Sequence, residues 1–266
     1  MSGDALVRLE AWMAGVESCV VTLSGGVDSA VVALAAHRAL GPRAVALTAV
    51  SSALPVEEVD MARDVAGRIG IAHRLVDSAE LDREGYRANE GNRCYFCKSE
   101  LFDLAEAERA ARQFGWVCDG TLPSDARDHR PGRRAAAEHR VRHPLVEVGI
   151  DKPEVRAIAQ SNGLPVWDKP AFACLGSRFP AGTRVELHKL TRVDRAERAL
   201  RELGLSRVRV RWHEIGEQVL ARIEVDPDEL PVLVAGRDRA IAACRDAGFT
   251  WATVDLAGYV PPSGFG

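Results

Sequence analysis

The stretch Ser24-Gly25-Gly26-Val27-Asp28-Ser29 decides the fold of this 266-residue chain, because two segments of different periodicity meet there. Residues 19–23 before it are apolar and mostly β-branched, which predicts a short buried strand of a parallel sheet. Residues 30–36 after it are apolar at a spacing that predicts a helix. Glycine lets the backbone adopt positive φ and approach a ligand closely, and a helix start offers unpaired N–H groups. The stretch therefore predicts a phosphate-binding turn between a strand and a helix.

The motif S-G-G-x-D-S in this turn resembles the pyrophosphate-binding loop, or PP-loop, of the N-type ATP pyrophosphatases. Those enzymes hold the pyrophosphate of ATP and release it while AMP is transferred to a substrate oxygen. The turn has neither the lysine of a Walker-type loop nor the three glycines of a dinucleotide-binding turn. Ser24 and Ser29 add hydroxyl donors, and Asp28 is suited to hold Mg2+ on a polyphosphate.

Composition and charge are those of a soluble globular protein, with 47% hydrophobic and 27% charged residues and a net charge of −3. This balance does not favour nucleic acid as a partner, so we expect a small-molecule substrate. No apolar run reaches the ~18–20 residues of a membrane helix, and the first residues lack a signal-peptide pattern. We therefore expect a cytoplasmic protein with no membrane partner, whose six cysteines are buried, metal-binding or reactive rather than disulfide-bonded.

Alternation of strand and helix patterns continues after the PP-loop. Residues 44–50, 73–76 and 116–118 have the apolar, β-branched character of buried strands, with helical patterns between them. This order predicts an α/β fold with a doubly wound, mostly parallel sheet. The pattern then changes to a charged helix and alternating strands, which predicts a small C-terminal α+β module. We expect a PP-loop domain over residues 1–183 and a substrate-binding or oligomerisation module over residues 184–266.

In a doubly wound sheet the ligand binds beyond the carboxyl ends of the strands. Polar residues follow two of the predicted strands at that end, namely Ser51 and the run Asp119-Gly120-Thr121. Together with the turn itself, they give the expected ATP-binding set. Its members are Ser24, Gly25, Gly26, Asp28, Ser29, Ser51, Asp119, Gly120 and Thr121.

Two thiols with the spacing C-x-x-C lie at Cys94 and Cys97, between Arg93 and Lys98 and just before a helix predicted over about residues 99–113. Cationic neighbours and a helix N-terminus favour the thiolate form. The spacing alone leaves three interpretations open: a redox pair, half of a zinc site, or part of an iron–sulfur site. The remaining cysteines Cys19, Cys118 and Cys244 lie in apolar runs and are expected in the core.

A third unusual segment spans residues 164–183, which lack periodicity and are rich in proline. Long ordered loops in compact domains are commonly functional. Cys174 lies in this loop, and Arg178 follows one helical turn later, where its charge favours a thiolate. The loop is therefore a second candidate for sulfur chemistry.

Two arginine-rich segments are candidates for binding an anionic substrate. Residues 124–134 form a polar loop with four arginines, and forked guanidinium groups suit carboxylate and phosphate. Arg209 and Arg211 alternate along a predicted strand, so they share one face of it. Beside a nucleotide-binding domain, that face is expected to bind a phosphate or a carboxylate.

The PP-loop, the C-x-x-C pair and residues 167–180, with the pattern W-D-K-P-x-x-x-C-L-x-S-R, together resemble the LarE family. Its members are ATP-dependent sulfur transferases that help to build the nickel-pincer cofactor of lactate racemase. The resemblance covers nearly the whole chain. It implies an enzyme that adenylates a carboxylate of pyridinium-3,5-biscarboxylic acid mononucleotide, releases pyrophosphate and converts the carboxylate into a thiocarboxylate.

The resemblance also implies the source of the sulfur. Cys174 matches the family's donor cysteine, which in one branch gives up its own sulfur and becomes dehydroalanine. In another branch three cysteines, matched here by Cys94, Cys97 and Cys174, hold a 4Fe–4S cluster whose free iron carries an extra sulfide. We favour the cluster branch, because a single-use donor does not need the C-x-x-C pair.

Further site residues follow from the same resemblance. The expected catalytic residues are Cys174, Asp28 and Lys98; the expected substrate-binding residues are Arg178, Arg209 and Arg211; and Glu197 and Glu224 match acidic positions associated with a divalent cation. The expected cofactors are ATP, Mg2+ and a 4Fe–4S cluster. By analogy with the family alone, we expect a homo-oligomer.

Three other functions are compatible with parts of the sequence. A tRNA thiolation enzyme would also join a PP-loop to paired cysteines, although the acidic balance does not favour RNA. An amide-forming ligase of the NAD- or GMP-synthetase kind would explain the loop but not the three cysteines. A non-catalytic nucleotide- and zinc-binding regulator would use the cysteines to close a structural metal site.

Overall fold

The computed structural model describes residues 2–125, 131–170 and 172–259. Its contacts divide the chain into two compact units. The first comprises residues 1–83 and 92–172, and the second comprises residues 84–91 and 173–266. The expected domain boundary after residue 183 stays a prediction about folding units; by contacts, residues 173–183 group with the second unit.

Strands and helices alternate along residues 19–118, as the sequence patterns predict, and further helices and strands follow. In chain order they are α1 (Ser2–Ala14), β1 (Cys19–Thr22), α2 (Val27–Leu40), β2 (Ala44–Val50), α3 (Val56–Ile69), β3 (Ala72–Asp77), α4 (Glu84–Ala88), α5 (Arg93–Arg112), β4 (Trp116–Cys118), α6 (Pro131–Glu138), α7 (Pro144–Val148), α8 (Lys152–Ser161), α9 (Leu187–Arg201), β5 (Val208–Ile215), β6 (Gln218–Val225), α10 (Leu230–Ala235), α11 (Arg237–Asp246) and β7 (Trp251–Val254). Short 3-10 turns join several of them.

The first unit is built on a four-stranded sheet in the order β3-β2-β1-β4. All three strand pairs are parallel, and Val20 of β1 lies between Val45 of β2 and Val117 of β4. The predicted α/β fold with a parallel sheet is therefore confirmed. The PP-loop follows β1, which is a central strand. Its residues therefore lie at the carboxyl end of the sheet, near the middle of the strand order.

Both faces of this sheet are covered, which explains why its central strands are apolar without alternation. Cys19 and Val21 point into a core with α1, α2, α3 and α8, whereas Val20 and Val45 point into a second core with α5 and α6. Helix α2 is buried along most of its length. Its start is consequently packed in the core directly after the PP-loop.

The second unit contains a three-stranded sheet in the order β5-β6-β7. Strands β5 and β6 form an antiparallel hairpin in which Arg211 lies opposite Arg222, and β7 pairs parallel to β6. Val210 and Trp212 of β5 are buried. This mixed sheet with its helices confirms the predicted small C-terminal α+β arrangement.

Within the described part of the chain, we find no helix that is both long enough and apolar enough to cross a membrane.

Candidate functional site

The PP-loop is a tight turn closed by its own serines. Ser29 Oγ donates to the Gly26 carbonyl at 3.1 Å and accepts from the Ser24 N–H at 3.2 Å. Gly25 has φ of 74°, and a Cβ on it would lie 2.9 Å from the Glu58 carbonyl oxygen. Gly25 is thus required both for its left-handed backbone and for its close approach to α3. Gly26 is the N-cap of α2 and makes no side-chain capping hydrogen bond, and a helix N-terminus of this kind favours an anion.

The end of β4 packs directly against the start of α2. A Cβ on Gly120 would lie 2.6 Å from the Ser29 backbone nitrogen and 2.9 Å from the Asp28 carbonyl carbon. Only glycine fits between two backbones at that separation. This contact brings Asp119, Gly120 and Thr121 to the PP-loop, as the sequence predicted from their place after a strand.

Asp119 is a buried carboxylate held by three donors. The Thr121 N–H and hydroxyl donate to its two oxygens at 3.0 and 2.8 Å, and His143 Nδ1 lies 2.7 Å from Oδ1. Burial alone raises the pKa of Asp119, but the hydrogen bond from His143 and the charge of Lys98 outweigh it and hold the pKa below its usual value. Asp119 is therefore a fixed, ionised acceptor. His143, the residue immediately before α7, carries no sequence pattern that indicates this contact.

Asp28 is the other carboxylate of this site, and its pKa is shifted in the opposite direction, upward. Lys152 Nζ donates to both of its oxygens at 2.8 Å. Burial nevertheless raises the pKa of Asp28, against the hydrogen bond and charge of Lys152, and the nearby charge of Asp125 raises it further. The negative charge of ionised Asp28 is therefore incompletely compensated by its neighbours. Its oxygens suit Mg2+, which proteins commonly bind through one or two carboxylates and substrate phosphates.

Lys152 is the functional candidate that sequence reasoning missed. It is the first residue of α8, whose N-cap Asp151 accepts from the Glu154 N–H while the Glu154 side chain accepts from the Asp151 N–H. This capping box was visible as D-K-P-E and predicts where the helix starts, but not that Lys152 reaches Asp28. Lys152 supplies the cation that the PP-loop itself lacks.

Lys98 and Ser51 lie on other elements of the same unit. Lys98 Nζ lies 5.5 Å from the centroid of the Phe102 ring, and a Cβ on Gly132 of α6 would lie 3.0 Å from Lys98 Cγ. The charge of Lys98 contributes to the low pKa of Asp119, so it acts on the nucleotide site electrostatically. Ser51 follows β2, and its hydroxyl accepts from the Ala53 N–H at 3.2 Å. In the arginine-rich segment predicted to clamp a substrate, residues 126–130 lie outside the described part of the chain.

Cys94 and Cys97 are the second and fifth residues of α5, which begins at Arg93, six residues before the helix start expected near residue 99. Cys94 is exposed and Cys97 is partly buried, whereas Cys19, Cys118 and Cys244 are buried, as predicted. Burial raises the pKa of the Cys244 thiol to about 11. The thiols of the C-x-x-C pair are thus more accessible than these three core thiols.

In the described part of the chain, the cysteines do not form a ready-made metal site. Over residues 2–125, 131–170 and 172–259, no group of three or more His, Cys, Asp or Glu side chains is arranged to hold a metal ion. The expected ligand set of Cys94, Cys97 and Cys174 therefore stays a prediction.

In the second unit, Cys174 immediately precedes a short 3-10 turn over Leu175–Arg178 and is partly buried. Arg178 Nη1 donates to the carbonyls of Ala173 and Cys174 at 2.9 and 3.2 Å and to the Ser177 hydroxyl at 2.8 Å. Arg178 thus lies near Cys174, as predicted, and its hydrogen bonds go to the main chain around the thiol.

The other two arginines expected to bind substrate also hold this turn. Arg209 Nη1 donates to the Ala173 carbonyl at 3.1 Å, and Arg211 Nη1 donates to the Ser177 carbonyl at 2.8 Å. Burial lowers the pKa of Arg209, and the charge of Arg178 adds to this effect. Substrate binding by these side chains stays a prediction, and their described contacts give them a second role in shaping the Cys174 turn.

Glu197 and Glu224 are engaged by cationic side chains and backbone. The fully buried Glu197 carboxylate accepts from Arg178 at 2.6 and 3.1 Å, from the Val210 N–H at 2.9 Å and from Arg201 at 3.1 Å. Glu224 accepts from Arg211 at 2.9 and 2.8 Å and lies 3.0 Å from Arg222. Positively charged side chains thus occupy oxygens of both carboxylates, and the expected divalent-cation role of Glu197 and Glu224 stays a prediction.

Comparisons with known proteins give one family match to the PP-loop part of the chain and two relatives that match nearly all of it. Residues 5–113 match the family described as NAD synthase. The pyridinium-3,5-bisthiocarboxylic acid mononucleotide synthase of Lactiplantibacillus plantarum is 32% identical over 252 residues, which cover 94% of this chain and 90% of that protein. An uncharacterized protein of Synechocystis sp. is 46% identical over 261 residues, or 97% and 96% of the two chains. A glutamine-hydrolyzing GMP synthase of Aliivibrio fischeri is 28% identical over 180 residues, but this match covers only 61% of this chain and 35% of that protein.

The two aspartates of the nucleotide site should affect stability in opposite directions. The pKa of Asp119 is below the usual 3.8 in the fold, so its ionised form stabilises the fold above that pH, and the stabilisation is lost as the pH falls through the lowered pKa. The pKa of Asp28 is above 3.8, so the unfolded chain releases this proton first and the ionised form costs stability at neutral pH. At pH 7, Asp119→Asn should lose roughly 2 kcal/mol of unfolding free energy, as expected for hydrogen bonds to a charged group, whereas Asp28→Asn should raise the melting temperature.

Thermal unfolding of the wild type and both variants at pH 7 and again below pH 4 checks this pair. The gain from Asp28→Asn should shrink at the lower pH. A loss of stability in Asp28→Asn as large as that in Asp119→Asn would contradict the assignment.

The buried Arg178–Glu197 pair should be the main support of the Cys174 turn. Arg178→Met leaves the Glu197 carboxylate buried beside too few donors, so it should cost about 3–5 kcal/mol of unfolding free energy. Hydrogen exchange should also accelerate at the Ser177 N–H, which donates to the Cys174 carbonyl at 2.9 Å. Arg198→Met on the exposed side of α9 is the matched control, expected within about 0.5 kcal/mol of the wild type. Equal stability of the two variants would show that the buried pair does not support the turn.

Proposed function

Since this chain belongs to the LarE family of ATP-dependent sulfur transferases, we propose that it converts a carboxylate of pyridinium-3,5-biscarboxylic acid mononucleotide into a thiocarboxylate. The observation that carries this proposal is the PP-loop closed against Asp119-Gly120-Thr121, in a chain matched over 94% of its length by a synthase of that product class. The loop provides the ATP site, and the remainder of the match extends through the Cys174 segment. The substrate is a small nucleotide, and we expect the enzyme to be a cytoplasmic homo-oligomer.

Activation of the carboxylate is the first half of the reaction. A carboxylate resists attack by sulfur because its leaving group would be oxide. A carboxylate oxygen therefore attacks the α-phosphorus of ATP, the bond from that phosphorus to the bridging oxygen breaks, and pyrophosphate leaves. We propose that backbone N–H groups of the PP-loop and the Lys152 ammonium, which lies beside Asp28, stabilise the charge on pyrophosphate. Mg2+ bound through Asp28 would neutralise further charge on the polyphosphate.

Sulfur transfer is the second half. A sulfur nucleophile adds to the carbonyl carbon of the acyl-adenylate, the bond to the AMP oxygen breaks, and AMP leaves with both electrons. Lys98, whose charge already lowers the pKa of Asp119, is proposed to stabilise the acyl-adenylate. Arg209 and Arg211 are proposed to contact the substrate in addition to holding the Cys174 turn.

For the sulfur donor, we propose a 4Fe–4S cluster ligated by Cys94, Cys97 and Cys174. Support comes from the position of Cys94 and Cys97 in one accessible helical turn, since paired thiolates at that spacing are typical iron–sulfur ligands. When bound, the cluster would supply an iron-held sulfide as the nucleophile. The alternative is that Cys174 donates its own sulfur.

The amide-forming ligase is a weaker alternative. Its support is the match to a GMP synthase, which covers only 61% of this chain. It offers no role for Cys174 or for the three arginines around its turn. Formation of an amide from ammonia, with no sulfur-containing product, would favour it.

Metal analysis and mass spectrometry of one sample test the sulfur source. After anaerobic reconstitution with iron and sulfide, the wild type should show the broad visible absorption of a 4Fe–4S cluster, and Cys94→Ala should lose it. Cys244→Ala, which removes a buried thiol, is the matched control and should keep the cluster. After turnover, the mass of the Cys174 peptide should be unchanged. Stoichiometric zinc without iron would refute the cluster, and dehydroalanine at residue 174 would identify the cysteine itself as the donor.

A further inference from the structure

Lys169, in the W-D-K-P motif, has a role that the reaction above does not assign. Its Nζ donates to the Gly25 carbonyl at 3.0 Å and to the Glu58 carboxylate at 2.7 Å. Its side chain is only 18% exposed, and that of Glu58 only 12%. A mostly buried ammonium paired with one carboxylate is thus bound to the main chain of the PP-loop from 144 residues away.

The position of this contact matters because the peptide unit is planar and trans. In a trans peptide the C=O and N–H groups point in opposite directions. With its oxygen held by Lys169, the Gly25–Gly26 peptide must direct the Gly26 N–H to the side away from Lys169. Hydrogen bonding of the oxygen to a cation also polarises the peptide, which strengthens its N–H as a donor.

The helix that carries Glu58 contacts the same peptide directly. Glu58 lies in the first turn of α3, and its own carbonyl oxygen is 2.9 Å from where a Cβ on Gly25 would be. Gly25 is therefore fixed by the Glu58 backbone on one side and, through Lys169, by the Glu58 side chain. A single residue of α3 thus constrains the orientation of one PP-loop peptide in two ways.

We propose that Lys169 is a positioning residue that, with Glu58, holds the Gly25–Gly26 peptide with its N–H directed at the pyrophosphate of ATP. This inference rests on the proposed ATP site and assigns the W-D-K-P motif to the geometry of that site. The lysine acts through the carbonyl of Gly25 and contacts no phosphate itself. Loss of either partner lets the peptide rotate and weakens the anion site.

A direct phosphate contact by Lys169 is the competing explanation, and the two explanations differ in the role of Glu58. If Lys169 bound phosphate, Glu58 would compete for the ammonium, and Glu58→Gln would tighten pyrophosphate binding. If Lys169 positions the peptide, Glu58 keeps the ammonium in place, and the same substitution weakens binding.

Calorimetric titration of the full chain with magnesium pyrophosphate tests the proposal. Lys169→Met should weaken binding by roughly tenfold or more, as expected for loss of a charge-assisted hydrogen bond, and Glu58→Gln should weaken it by less. Lys169→Arg, which keeps a charged donor, should recover part of the affinity. The amide resonance of Gly26 should shift in Lys169→Met even without pyrophosphate.

Lys189→Met is the matched control in the second unit. Lys189 Nζ also donates to a backbone carbonyl, that of Arg184 at 3.1 Å, and to a carboxylate, that of Glu214 at 2.8 Å. Both methionine variants should lose stability, but only Lys169→Met should lose pyrophosphate affinity. Unchanged affinity in Lys169→Met, or tighter binding in Glu58→Gln, would overturn the proposal. A wild type that binds no pyrophosphate would overturn both this proposal and the ATP site on which it rests.

Discussion

A phosphate site made from backbone N–H groups depends on how its peptides are held, because the groups that bind have no rotatable side chain of their own. In this chain the turn between β1 and α2 is held from several directions. Ser29 closes it from within, Gly120 packs against it with no room for a side chain, and Lys169 holds the Gly25 carbonyl. Each contact comes from a different part of the sequence, and each limits the direction in which an N–H can point. The rest of the first unit can be understood as the support for this turn.

Two carboxylates near the turn differ in how well their negative charge is compensated by their surroundings. Asp119 is fully provided with donors, and its lowered pKa means that folding favours its ionised form. Ionised Asp28 destabilises the fold, since the loss of solvent around its charge outweighs the stabilisation by Lys152. A carboxylate that lacks full compensation is suited to a cation that arrives with the substrate, and stability given up at such a position is a common feature of functional sites. The two aspartates thus have separate roles although both lie at the carboxyl edge of one sheet.

Local patterns in the sequence were sufficient for the sheet, the PP-loop and the ligand-binding edge, because strand periodicity and glycine spacing are short-range signals. The α5 start was placed too late, since the polar residues around Cys94 hide a helical turn that packing stabilises. Lys152 was missed because its contact with Asp28 spans 124 residues, and no local pattern encodes such a pairing. Substrate binding by the arginines near Cys174 stays a prediction. Their bonds to the carbonyls of Ala173 and Ser177 could not be predicted, because a strand pattern shows which face a residue shares but not which backbone it meets.

The central claim is that ATP activates a carboxylate by transferring AMP to one of its oxygens. The most direct measurement uses substrate labelled with oxygen-18 in its carboxylates and follows the label by mass spectrometry after a single turnover in the presence of a sulfur donor. Adenylation of the carboxylate should leave one labelled oxygen in AMP and none in pyrophosphate, because the carboxylate oxygen leaves with AMP when sulfur displaces it. Unlabelled AMP, or formation of ADP and phosphate in its place, would contradict adenylation.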